Sequence, residues 1–166
     1  MIATRPLVAE EAEFGVIGSL MHQPSLIETI GAKVSPMHFH QQDAAELFSM
    51  ILAARSAGRP ADPVSLADIR PTLSSGEMTL VRAAEIMRNT VSVANAKEYA
   101  RIVVERSKAR IVNDLGKTII DLASQARPMA EIIAEVQEAA LSLNAEDDER
   151  CDHACRGAWA GDRRDG

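Results

Sequence analysis

From Ser92 onward the chain meets no proline until Pro128, whereas earlier stretches are cut repeatedly by Pro and Gly. Proline removes an amide donor and clashes with the preceding helical turn, so its spacing limits helix length. The first part of the chain therefore allows only short helices, and residues 93–125 allow a single long one. Pro128 suits the first position of a further helix running to about Leu143, and the short connection makes the two antiparallel. The expected organisation is a helical globular subdomain over residues 1–91, a helical hairpin over 92–145, and a polar tail over 146–166.

Composition agrees with an all-α fold. Aromatic residues make up 3% of the 166 residues and hydrophobic residues 46%, so Ala, Leu, Ile, Val and Met must fill the core. Strand-type alternation is scarce and helical spacing recurs. A chain of this length buries enough surface to need no metal or disulfide. Both cysteines, Cys151 and Cys155, fall in the tail, which leaves the folded part without a disulfide and suits a reducing compartment. With no apolar leader and no spanning segment, the expected location is cytoplasmic. The net charge of −6 argues against direct nucleic-acid binding and for protein partners.

Along the first part, Val8, Ala12, Val16 or Ile17, and Leu20 share one side of a helix preceded by Pro6. Glu10, Glu11 and Glu13 lie in its early turns, where carboxylates favour the helix dipole. Gly15 and Gly18 predict close helix packing, because they otherwise cost helix stability. A short helix opens at Pro24 and closes at Gly31. After the connector at Ser35–Phe39, a third helix carries Ala44, Leu47, Phe48, Ile51 and Leu52 on one stripe and ends at Gly58. Asp62 is placed to cap a helix with Pro63 at its first position, and Pro71 stops that helix. Residues 74–76 form a turn, and residues 78–89 a further short helix. Ser92 is placed to cap the long one.

Two heptad-like stripes mark the hairpin: Val112, Leu115, Ile119, Leu122 and Ala126 on the first arm, and Met129, Ile132, Val136, Ala139 and Leu143 on the second. They zip the arms together. Ile120 lies off the first stripe, near Gly116 and Ala123, and Ile133 and Ala140 lie off the second. A two-helix hairpin hides one stripe per helix, so these extras face the globular half or a second copy. The candidate self-association residues are Ile111, Leu115, Ile119, Ile120, Ile132, Ile133 and Val136.

Other motifs read as bland. Residues 115–118, Leu-Gly-Lys-Thr, imitate a phosphate loop, but the required first glycine is Ile111 and no strand precedes it. Gly116 is better read as a small residue for close packing, with Lys117 solvated. His38 and His40 flank Phe39, a core residue, and no further ligands converge on them. Cys151, His153 and Cys155 have a spacing too short for a zinc finger, and the tail reads as disordered. The acidic pairs and runs, Glu10-Glu11 and Glu146-Asp147-Asp148-Glu149, read as solvated. No catalytic, cofactor or metal site is expected.

The blocks taken in order resemble the N-terminal domain of the bacterial replicative DNA helicase family, DnaB. The resemblance is carried by Ala12, Glu13, Val16, Gly18 and Leu20 in the opening helix. It continues through Gly58, Pro60, Asp62, Pro63, Val64, Ser65, Leu66 and Ala67, and through the Asn-Thr-Val-Ser-Val-Ala-Asn block at residues 89–95. It spans roughly residues 6–145. Val91 stands where the family usually has proline, and residues 70–88 lack its Gly-Gly-aromatic stretch. The resemblance implies domains that pair through their hairpins as a dimer or a trimer of dimers. It also implies a collar that binds the primase C-terminal domain or another replication protein. The ATP-driven motor of that family is a separate RecA-like domain, so this chain is expected to perform no chemistry itself. It would be either part of a full ATP-dependent helicase or a stand-alone phage or plasmid modulator of one. A dimeric helical DNA-binding regulator is the remaining alternative, and the acidic balance weighs against it.

Overall fold

The computed structural model describes residues 6–141. Among these residues the fold is all-α, with seven α-helices and no strand, only an isolated bridge between Thr72 and Met78. The helices are α1 (Glu10–His22), α2 (Ile27–Ile30), α3 (Gln42–Ser56), α4 (Pro63–Ile69), α5 (Thr79–Asn89), α6 (Ala96–Ala123) and α7 (129–141). Short 3-10 turns at Pro24–Leu26 and Pro36–His38 stand before α2 and α3.

α1 is the central element and packs against α3, α5 and α6. The expected side, with Ala12, Val16, Ile17 and Leu20, is buried, and burial extends beyond it. Ala12, Glu13, Val16, Ile17, Gly18, Ser19, Leu20 and Met21 are all buried, the pattern of a helix enclosed on several sides. The two glycines make this possible. A Cβ on Gly15 would lie 2.7 Å from the Tyr99 ring, and one on Gly18 would overlap the Thr90 hydroxyl and sit 3.2 Å from the Ile86 carbonyl oxygen. Around α1 the core gathers Leu47, Phe48 and Ile51 of α3, Leu66 of α4, Ala83 and Ile86 of α5, and Ala96, Ala100 and Val103 of α6. The core thus runs across residue 92 into the long helix. Phe39 joins it, its ring centroid 5.1 Å from that of Phe48.

Local chemistry sets the helix ends. The Asp62 carboxylate accepts from the backbone N–H of Val64 and Ser65 at 3.0 and 3.1 Å, and from the Ser65 hydroxyl at 2.8 Å. α4 ends at Ile69, before Pro71. The long helix starts later than Ser92 implies. The Ser92 hydroxyl accepts from the Ala94 N–H at 3.2 Å, a local turn that competes with capping, and the helix begins at Ala96 with Asn95 at the cap position.

Glu13 is misread by its position in the sequence. It is buried, 1% exposed, and its two carboxyl oxygens accept from the backbone N–H groups of His40 and Gln41, each at 2.8 Å. Those groups lead into α3, so a side chain of α1 fixes where α3 begins.

Two outcomes follow from these caps. Glu13→Ala leaves two donors without their partner and is expected to lower unfolding stability by about 3 kcal/mol; equilibrium urea unfolding measures it, and a loss below a few tenths would contradict the clamp. Asp62→Ala is expected to cost about 1 kcal/mol. The Ser65 backbone N–H, then the Ser65 hydroxyl, hold the Asp62 carboxyl below the ordinary value of 3.8. Its folded value is depressed, so the contribution is present above pH 3.8 and is lost as pH falls through the folded value. The difference between wild type and Asp62→Ala in urea titrations at neutral and strongly acidic pH should shrink accordingly.

Candidate interaction surface

α6 changes character along its length. Ala96, Ala100, Val103 and Ser107 are buried. At the edge of the core the Arg110 guanidinium donates to the His38 carbonyl oxygen at 2.7 Å and to the Leu7 carbonyl oxygen at 3.1 Å. Residues 111–114 are then all exposed. Beyond Ala123 the chain bends through residues 124–127 and enters α7. The Arg127 side chain lies 2.9 Å from Glu135 and 3.6 Å from Glu131, bracing that bend.

The candidate residues divide by exposure. Ile132 is buried, as is Leu122, and these two are the buried hydrophobics outside the main core among the described residues. Leu115, Ile119 and Val136 are half-buried. Ile111, Ile120 and Ile133 are 38%, 70% and 51% exposed. Val112 and Met129, placed on the stripes by spacing, are exposed as well. Leu143 lies outside the described residues.

Leu115, Gly116, Lys117 and Thr118 lie within continuous α6. No loop is available there to present amides to a phosphate. Lys117 donates to Asp114 at 2.8 Å, and the Thr118 hydroxyl donates to the Asp114 carbonyl oxygen at 3.1 Å. The Lys117 ammonium holds the Asp114 carboxyl below its ordinary range. The close-packing role expected for Gly116 is not met among the described residues, because a Cβ there would have no neighbour of theirs within 4 Å.

Among the described residues no cluster of metal ligands forms. His38 is half-buried rather than a surface residue. Its Nδ1 accepts from the Ser35 N–H at 3.0 Å in a capping box, which gives it a local structural task. His40 is exposed. Cys151, His153 and Cys155 lie outside the described residues, as does the acidic run at 146–149. No helix among the described residues is long and apolar enough to cross a membrane.

Sequence reasoning missed Arg110, whose two acceptors are backbone carbonyls remote in sequence. Its one visible sign is a cation between the apolar patterns of the two halves of α6. It is the point at which α6 passes from core residues to a stretch with exposed isoleucines.

Residues 5–105 match the DnaB-like helicase N terminal domain. The chain belongs to that family. In three dimensions it is similar to the crystal structure of the N-terminal domain of DnaB helicase from Mycobacterium tuberculosis, with a TM-score of 0.73 and 22% identity over 83% of this chain and 99% of that chain. At that identity the likeness shows the fold. The family match ends within α6, so the arm carrying Ile111, Ile120 and Ile133 lies beyond the matched residues.

Glycine inside a helix costs about 1 kcal/mol relative to alanine, and none of the described residues crowds position 116. Gly116→Ala is therefore expected to stabilise the protein by about that amount, measured by urea unfolding at low protein concentration. A loss of stability would place a neighbouring chain against Gly116.

Proposed function

We propose that this DnaB-type domain is a protein-interaction module of the replication machinery, working in the cytoplasm. It self-associates through the arm made by the outer half of α6 and by α7, and it offers the resulting collar to the primase C-terminal domain or another replication protein. In this reading α7 folds back beside α6. Leu115, Ile119 and Leu122 face Ile132 and Val136, a pairing supported by the burial of Leu122 and Ile132. The residues left over, Ile111, Ile120 and Ile133, meet a second copy.

The observation that carries this reading is the exposure of Ile120 and Ile133. They lie beside a stripe of which Leu122 and Ile132 are already buried, on a domain with its main core elsewhere. Covering an isoleucine side chain is worth about 2 kcal/mol, and among the described residues none covers these two. The dimer is the first step, and three dimers complete the collar. The motor that drives unwinding belongs to a different domain of the family, so this domain contributes assembly and docking.

Light scattering over a range of concentrations tests the assembly, with Ile120→Asp/Ile133→Asp beside the wild type. The wild type is expected to be a dimer or a hexamer and the variant a folded monomer by circular dichroism. A wild type that stays monomeric at every concentration would sink the self-association. The same two preparations mixed with the primase C-terminal domain address the partner: co-elution is expected with the wild type, and its absence would remove primase from the reading.

A further inference from the structure

Away from the arm tip, α2 and the start of α6 enclose an open groove of about 550 Å³. Its floor is apolar: Ile30 is 1% exposed and Ala100 is 6% exposed, with half-buried Val104 beside them. Lys33, Lys97 and Arg101 stand along it. Glu98 and Glu105 also line it, but Glu98 already holds Arg101, with Nη2 at 2.6 Å and Nε at 3.0 Å. Lys33 and Lys97 are exposed and sit over the apolar floor. A protein of net charge −6 thus has a groove whose lining carries three cations against two anions.

We infer that this groove is the docking site of the chain's own C-terminal segment, with Glu146-Asp147-Asp148-Glu149 against Lys33 and Lys97 and Trp159 on the apolar floor. The segment carries four consecutive carboxylates and the single tryptophan of the chain. Its chemistry therefore complements both parts of the groove.

Reach supports the assignment, which rests on α7 returning beside α6 as proposed above. α7 covers residues 129–141, about 20 Å at 1.5 Å per residue, which brings its end level with about residue 110 of α6. The groove residues of α6, 97–105, then lie roughly 8–20 Å further along the same direction. Residues 142–146 span up to about 17 Å when extended, and residues 142–149 about 28 Å. The acidic run therefore arrives at the lysines, and ten residues later the indole has slack to settle on Ile30 and Val104.

The test uses the full chain, because Trp159 is its only tryptophan and reports the segment directly. Docking predicts emission shifted to the blue of a solvated indole and protection from acrylamide quenching. Lys33→Glu/Lys97→Glu, two exposed positions outside the core, is expected to move the emission to the solvated value and to raise the quenching constant severalfold. High salt should act in the same direction, since screening weakens an exposed charge contact. Solvated emission in the wild type would overturn the proposal. So would a blue-shifted emission that the double substitution leaves unchanged, or one that develops only as protein concentration rises and so places the segment on another copy. Light scattering of the same variant separates this result from the assembly reading, because Ile120 and Ile133 are untouched by it.

Discussion

Close approach along one face of α1 is the constraint on which the domain depends. Gly15 admits the Tyr99 ring and Gly18 admits Thr90, so the end of α5 and the beginning of α6 both lie nearer to α1 than side chains would allow. Thr90 in turn donates its hydroxyl to the Ile86 carbonyl oxygen at 2.8 Å, which satisfies the polar group that this proximity buries. The segment joining α5 to α6 is thereby drawn over α1. With it come Ala96, Ala100 and Val103, and a helix with only modest amphipathic character becomes part of the core.

A second convergence fixes the connector before α3. From one side Glu13 of α1 takes the amides of His40 and Gln41. From the other, Arg110 of α6 takes the carbonyl of His38. Between them Phe39 enters the core. One short loop thus has its donors satisfied by an acid on α1 and an acceptor satisfied by a base on α6. Backbone groups that neither helix nor sheet can pair are satisfied by side chains instead. The globular half and the arm are joined here by polar contacts as well as by the continuous helix.

Much of this was legible in the residues. Two glycines inside an apolar helix announced a close approach, and Asp62 before Pro63 announced a cap, because in both cases one residue type has one strong physical use. Glu13 was not legible. A carboxylate in a first turn looks the same whether it faces water or a pair of amides 27 and 28 residues away. Ser92 misled for a similar reason, since a hydroxyl serves a turn as readily as a cap. Arg110 binds carbonyls, which leave no mark in a sequence. Beyond Arg110, periodicity set Leu122 and Ile132 on the stripes, and both are buried, but it set Val112 and Met129 there too, and these are as exposed as Ile120 and Ile133. Periodicity within one chain holds no record of what covers an exposed residue.

The Arg110 clasp has a mechanical consequence. It sits where α6 leaves the core, and the helix continues 13 residues past it to Ala123. That outer length is about 20 Å. A rigid helix held at one end is a lever, so a tilt of about 10° at the clasp displaces the tip by roughly 3.5 Å. Two hydrogen bonds from one guanidinium thus tie the last core turn of α6 to Leu7 and to the loop at His38, and an adjustment in that loop would be magnified at the far end.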